Sequence, residues 1–157
     1  MKLRTSAKIN LNLEIFSEKQ DNLHKLSSLM IPIDIYDHIN IKESFNESIQ
    51  FSDENLNTIE STIHKALKLI RKNNPSFDKR FDIYIDKKIP HNSGLGGGSS
   101  NAGAVIRYLC DNYELDLPSN LEIVREVGSD VPFFVHGGSA IIQGIGEIVE
   151  PLDLNTD

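Results

Sequence analysis

Four of the five residues from Gly94 to Gly98 are glycine, and they stand between a stretch patterned as a strand and one patterned as a helix. Glycine loses more backbone freedom on folding than any other residue, so such a run is costly unless the chain needs positive φ or a close approach there. Ahead of it, Phe81, Ile83, Ile85 and Ile89 alternate with Asp82, Tyr84 and Asp86, which predicts a strand ending at Pro90. Behind it, Ala102, Val105, Ile106, Leu109, Cys110 and Tyr113 recur at steps of three and four, which predicts a helix from about Ser99 to Tyr113. The first N–H groups of a helix have no internal partners, and its dipole puts partial positive charge at its start. An anion is therefore stabilised where this loop meets the helix, and a phosphate is the natural candidate. The alternative is a merely flexible turn, against which the clean apolar stripe that follows argues.

Two familiar phosphate loops can be tested by counting. The Walker pattern needs a glycine followed by Lys and then Ser or Thr, and no glycine in this loop precedes a lysine; the dinucleotide pattern starting at Gly94 needs a glycine where Ser99 stands. Neither fits.

Elsewhere the chain reads as a mixture. Residues 3 to 15 alternate, with Ala7, Ile9, Leu11, Leu13 and Ile15 apolar and Lys8, Asn10 and Asn12 on the opposite face, which predicts one half-buried strand. Residues 26 to 42 predict two strands broken by Pro32 and by a turn at Asp37 and His38; residues 44 to 54 read as a loop. Leu56, Ile59, Ile63, Leu67 and Ile70 predict one amphipathic helix stopped at Asn73, Asn74 and Pro75. Ser119 with Glu122 forms a capping box for a short helix through Val127, with Gly128 as its left-handed stop. Asp130 opens a segment from Val131 to Val135, and Ala140–Gln143, a turn at Gly144–Glu147 and Ile148–Leu152 predict a closing hairpin. This order lacks regular βαβ alternation, so an α+β domain with a mixed sheet is expected.

Length and composition narrow the function. A chain of 157 residues with 39% hydrophobic and 25% charged residues fits one folded domain. No run reaches the roughly 18 apolar residues of a membrane span. Polar residues from Lys2 to Asn12 break any signal peptide, so a cytoplasmic protein is expected. Cys110 is the one cysteine, which excludes an internal disulfide and a cysteine-rich zinc site. The net charge of −7 argues against nucleic acid as main partner. It leaves room for a small phosphorylated ligand held by backbone N–H groups and a lysine or two.

Gly94-Leu-Gly-Gly-Gly-Ser-Ser-Asn-Ala102 with Pro90 ahead of it, Ala7-Lys8-Ile9-Asn10-Leu11 and Gly128-Ser-Asp-Val-Pro-Phe-Phe134, in that order, resemble the GHMP kinase superfamily. They are most similar to its branch acting on a cytidine-diphosphate-linked alcohol in non-mevalonate isoprenoid biosynthesis. The likeness spans about residues 6 to 151, including the turn Gly144-Ile-Gly-Glu147. It implies a mixed sheet with helices packed on one side, ATP and Mg²⁺ as cofactors, and transfer of the ATP γ-phosphate to an alcohol. The same domain type occurs in ribosomal and nucleic-acid-handling proteins. A sibling kinase of mevalonate, homoserine or a sugar, or a non-catalytic nucleotide- or RNA-binding module, remains the alternative.

The resemblance also assigns roles. Asp130 would take the hydroxyl proton with Lys8 beside it, although a helix N-cap explains Asp130 as well. Pro90, Gly94, Leu95, Gly96, Gly97, Gly98, Ser99, Ser100 and Asn101 would hold the ATP phosphates, with Ser99 or Ser100 reaching a phosphate or Mg²⁺. Asn55 and Lys87 match positions near the adenine, although a capping Asn and an exposed Lys explain them equally. Asn10, Leu23 and His24 would bind the alcohol substrate, His24 reading the cytosine edge. The family usually shows Asp-Gly-Tyr-His where this chain has Asp21-Asn22-Leu23-His24, so a stacking ring is replaced by leucine. Asn92 and Ser93 stand where the family commonly has glycines. Family members have two domains, so residues 1–157 correspond to the N-terminal one, and the chain is expected to fold alone but turn over little.

Overall fold

The computed structural model describes residues 1–116 and 121–153. Its centre is one mixed sheet built around a long strand, β3 (Leu23–Ser44). β1 (Lys2–Asn10) and β2 (Glu14–Gln20) run antiparallel along one edge of β3. On its other edge lie β5 (Arg80–Asp86), opposite residues 38–44, and β6 (Ser139–Gly144), opposite residues 26–30. β4 (Ser48–Phe51) pairs parallel to β5, and β7 (Ile148–Leu152) antiparallel to β6.

The helices α1 (Thr62–Asn73), α2 (Gly97–Tyr113), α3 (Leu121–Arg125) and α4 (Val131–His136) complete the domain. Alternation decides which face they cover. Ile39 and Ile41 of β3 and Phe81, Ile83 and Ile85 of β5 are buried and share one core with Ile63, Leu67 and Ile70 of α1 and Ile106 and Leu109 of α2. Their neighbours His38, Asn40, Lys42 and Tyr84 are exposed, so the sheet is covered on one side. Each such buried side chain contributes about 1.5 to 3 kcal/mol of transfer free energy. A smaller cluster of Met30, Phe133, Phe134, Ala140 and Ile142 seats α4 on β3 and β6. α2 and α4 approach closely at Gly103, where a Cβ would stand 2.7 Å from that of Phe134. These packings set α4, and hence Asp130, relative to β1. The expected α+β class with one helical layer is observed. Among the described residues no helix is long and apolar enough to cross a membrane.

Several local expectations are corrected. Residues 3 to 15 form two strands, and Leu11, Leu13 and Ile15 are exposed by 55, 55 and 66%, because the chain leaves β3 after Asn10 and returns as an outlying hairpin. Asp21 and Asn22 close that hairpin with φ of +50° and +64°, the left-handed pair that a tight two-residue turn needs and that Asp and Asn tolerate. Residues 26 to 42 are one strand: Asp37 and His38 pair with Thr5 and Arg4 instead of turning. Pro32 is accommodated because residues 31–37 have only β1 as a strand neighbour, so the missing donor breaks no second ladder. The supposed loop at 44 to 54 contains β4.

The helix expected from Leu56 starts at Thr62. A 3₁₀ turn (Glu54–Thr58) precedes it, and Ser61 and His64 form a reciprocal capping box that fixes the start. Gly128 does not adopt positive φ, and α3 ends at Arg125. The capping box at Ser119 and Glu122 lies outside the described residues.

Candidate active site

Lys8 owes its place to an irregularity in the β1–β3 ladder, where Asp34 and Ile35 are extra residues on the β3 side. The register with β3 shifts between Ser6 and Ala7, and such a bulge re-aims side chains, so Ala7 and Lys8 are both buried, at 0 and 5% exposure. The Lys8 backbone N–H donates to the Leu95 carbonyl at 3.0 Å, tying the strand to the glycine loop. Its ammonium donates to Asn10 Oδ1 at 2.6 Å, and Asn10 Nδ2 donates to Ser28 Oγ at 2.7 Å, so a side-chain relay holds the amine in place. Asn12 lies beyond the strand, where its Oδ1 accepts from the Leu29 N–H.

Asp130 Oδ2 stands 3.3 Å from Lys8 Nζ. It occupies the N-cap position of α4, yet its side chain makes no capping hydrogen bond. The carboxylate is thus turned toward the lysine, and with its side chain 22% exposed it remains accessible. Removing Asp130 would leave the buried Lys8 ammonium with Asn10 Oδ1 as its remaining partner among the described residues, a destabilising change.

The glycines hold the loop against both groups. Gly94 and Gly96 have φ of +77° and +73°. Gly96 is the N-cap of α2, and a Cβ there would stand 2.9 Å from the Phe134 ring and 3.1 Å from Lys8 Cγ. Only glycine therefore fits between β1 and α4 with that backbone. No side chain caps α2, so its first-turn amides are open to a ligand. Thr62, at the start of α1, donates its hydroxyl to the Gly98 carbonyl at 2.7 Å and pins the loop from the other side.

Two adjoining clefts result. One, of about 240 Å³, is lined by Pro90, Gly94 and Gly96 to Ser99. The other, of about 200 Å³, has an apolar wall of Phe51, Leu56 and Ile59. Thr62, Lys87, His91 and Gly98 line both.

The structure therefore brings Lys8, Asn10, the loop from Pro90 to Ser99, Lys87 and Asp130 into one region. Other sequence-predicted residues stand elsewhere or face away. Ser100 is buried and donates its hydroxyl to the Ser6 carbonyl at 2.6 Å, which spends it on the fold; the Ser99 hydroxyl makes no such bond among the described residues. Asn101 is 1% exposed, and its amide nitrogen donates to Thr5 Oγ1 and Asp37 Oδ2; it borders the apolar cleft but not the cleft of the glycine loop. Asn55 bonds Asp53 on the 3₁₀ turn and lines neither cleft. Leu23 and His24 sit on the β2–β3 hairpin, where His24 Nδ1 lies 2.8 Å from the Phe16 carbonyl. Among the described residues no three His, Cys, Asp or Glu side chains cluster as metal ligands.

Sequence reasoning missed Thr62, Phe134 and above all Asp37, which is fully buried. A signal for Asp37 was present: it falls on the period-two row of Ile39 and Ile41.

A family model described as the GHMP kinases N terminal domain matches residues 61–138. The chain is 40% identical over 158 residues to the 4-diphosphocytidyl-2-C-methyl-D-erythritol kinase of Alkaliphilus metalliredigens and 39% identical over 149 residues to that of Thermotoga maritima. These alignments cover 98 and 94% of this chain but 54% of each relative. The chain thus spans about half the length of the curated relatives it matches. Among solved structures, a crystal structure of 4-(cytidine 5'-diphospho)-2C-methyl-D-erythritol kinase aligns with a TM-score of 0.79 at 30% identity, over 98% of this chain and 56% of the other. Methanococcus jannaschii mevalonate kinase aligns with a TM-score of 0.60 at 19% identity, over 98 and 56%, a likeness of fold alone.

Proposed function

The chain belongs to the GHMP kinase family, and on that premise we propose that it forms the N-terminal, ATP-binding half of a 4-diphosphocytidyl-2-C-methyl-D-erythritol kinase. The enzyme would move the γ-phosphoryl group of ATP to the substrate's 2-hydroxyl in the cytoplasm, within non-mevalonate isoprenoid biosynthesis. The observation that carries this reading is the enclosed Lys8–Asp130 pair, tied through the Leu95 carbonyl to an uncapped glycine loop.

Phosphoryl transfer asks a protein for alignment, charge stabilisation and a proton acceptor more than for covalent chemistry. Asp130 accepts the hydroxyl proton. Lys8 keeps that carboxylate oriented and, reaching Asn10 as well, presents its ammonium where the hydroxyl must lie. The open amides of α2 and the bare backbone at Gly94 to Gly98 receive the β- and γ-phosphates, and the apolar cleft beside Lys87 receives the base. Mg²⁺, which takes oxygen ligands and travels with nucleotide phosphates, would find a hard oxygen donor in Ser99 and would offset phosphate charge.

For the acceptor, the Phe16 carbonyl accepts a hydrogen bond from His24 Nδ1–H, which in the neutral ring leaves Nε2 as an acceptor. An acceptor nitrogen suits the exocyclic amine of cytosine. The relatives that carry this kinase's name, at 36 to 40% identity, support this substrate over other small alcohols.

ADP release by the full-length enzyme, measured with the cytidine-diphosphate-linked alcohol, mevalonate, homoserine and galactose, tests the reading. Turnover confined to the first is expected, and a preference for any of the others overturns it. A polypeptide limited to residues 1–157, about half the length of the relatives, should turn over poorly in the same assay.

A further inference from the structure

We propose that Asp37 is a positioning residue of the nucleotide site: its carboxylate clamps both ends of the glycine loop and holds the Lys87 ammonium at the seam of the two clefts. The inference rests on the ATP-binding reading above and adds a residue that neither the motifs nor that reading uses.

An ionised carboxylate is almost never fully buried unless paired, because its desolvation is so costly. Asp37 is 0% exposed. A carboxylate offers about four lone-pair sites, and four donors meet it here. Oδ1 accepts from the backbone N–H groups of Lys88 and Ile89 at 2.7 and 2.9 Å. Oδ2 accepts from Asn101 Nδ2 at 3.0 Å and from the Lys87 ammonium. Lys87 to Ile89 lead into the loop, and Asn101 lies in α2, which leaves it. Asn101 also reaches Thr5 of β1, the strand that carries Lys8. One carboxylate thereby sets the spacing of the loop's entry, its exit and the strand beneath.

Lys87 shows that this is more than scaffolding. An ammonium has three donors. Asp37 takes one and Asn101 Oδ1, at 3.2 Å, a second. No other bond of Nζ occurs among the described residues, and the side chain lines both clefts while 10% exposed. A Cβ at Gly97 would stand 3.1 Å from Nζ, so glycine there keeps the space between ammonium and loop open. The third N–H thus remains for a ligand. A nucleotide whose base fills the apolar cleft and whose terminal phosphates fill the loop passes its first phosphate across that seam.

The test is steady-state kinetics of the full-length enzyme with Asp37→Asn, Lys87→Met and the double variant. In D37N the carbonyl oxygen of the introduced amide can still serve Lys88 and Ile89, but its NH₂ faces the Asn101 amide and the ammonium as a donor. Charge-assisted bonds of this kind are strong enough that KM for ATP should rise about 10- to 150-fold. KM for the alcohol should stay within about twofold, and the double variant should be no worse than the more affected single one, as for groups acting as a unit. An equal rise in both KM values, or a lowered Tm with unchanged KM for ATP, overturns the proposal. If D37N does not fold, Lys87→Met decides alone, and wild-type affinity for ATP in that variant overturns it. A wild-type enzyme that binds no ATP removes the kinase reading and this proposal together, whereas normal wild-type kinetics with unshifted variants remove only the latter.

Discussion

Lys8 Nζ and Asp130 Oδ2 meet at 3.3 Å, one from the first strand and the other from the turn before α4. Neither is spent on its own element: Asp130 leaves its helix uncapped and Lys8 is buried at a bulge. Asp130→Asn keeps the shape and removes the base. General-base removal costs about 10²- to 10⁴-fold in rate, so kcat of the full-length enzyme should fall by that range while ATP affinity, read by titration, stays within about threefold. Unchanged turnover would remove Asp130 from the mechanism.

Gly94 and Gly96 share a left-handed backbone but not a neighbourhood. Nothing lies within 4 Å of a Cβ at Gly94, whereas one at Gly96 meets the Phe134 ring and the Lys8 stem. Gly94→Ala should cost only conformational strain, about 1 to 2 kcal/mol. Gly96→Ala adds a clash inside the site, and about 1 to 3 kcal/mol more for overpacking. Urea unfolding of the two variants compares them, and equal losses would show that the loop can yield away from α4.

How much of this was legible in the sequence depends on whether the cause was local. β5, α2 and the closing hairpin follow from periodicities that burial alone explains, and the motifs put Lys8 beside Asp130. α4 was not legible as a helix, because Val131 to Val135 are all buried and show no apolar period. β2 was not legible, because its residues are exposed on both faces and leave no alternation to read. Asp37 read as a turn because a carboxylate in a strand looks like an interruption until its four donors are known, and these come from the β5–loop junction and α2. Ser100 and Asn101 were placed on the phosphates because they continue the motif. The phase of α2 turns both inward, a fact that depends on where the helix starts and what it packs against.

The β2–β3 hairpin carries the test of acceptor recognition. Leu23 is 46% exposed beside His24, where a ring would stack on a base. Stacking is worth about 1 to 3 kcal/mol per base, so Leu23→Tyr should lower KM for the cytidine-linked substrate by about 5- to 150-fold. With Nε2 of His24 as an acceptor, a uridine-linked analogue, which offers a carbonyl in place of the amine, should bind more weakly in both forms. Equal binding of the two analogues would detach His24 from base recognition.

Alkaline pH tests the opposite end of α2. Burial, then the nearby Asp111 and Asp116 charges, push the Cys110 thiol up from 9.0 to about 11. Burial, with Tyr108 and Glu43 adding to it, pushes the Tyr113 hydroxyl up to about 12. Between the ordinary and the shifted value the unfolded chain has lost each proton and the folded chain keeps it. The folded state then binds more protons, so stability is level below about pH 9 and falls as pH rises through the shifted values. Urea midpoints should drop between about pH 9 and 12, and Cys110→Ala should flatten the first part of that drop, leaving the Tyr113 contribution above about pH 10. The same burial should make Cys110 react slowly with a disulfide reagent near pH 8, since the thiolate is the nucleophile. A midpoint that rises through this window, or a thiol that reacts as fast as free cysteine, would contradict the packing of Cys110 against the core.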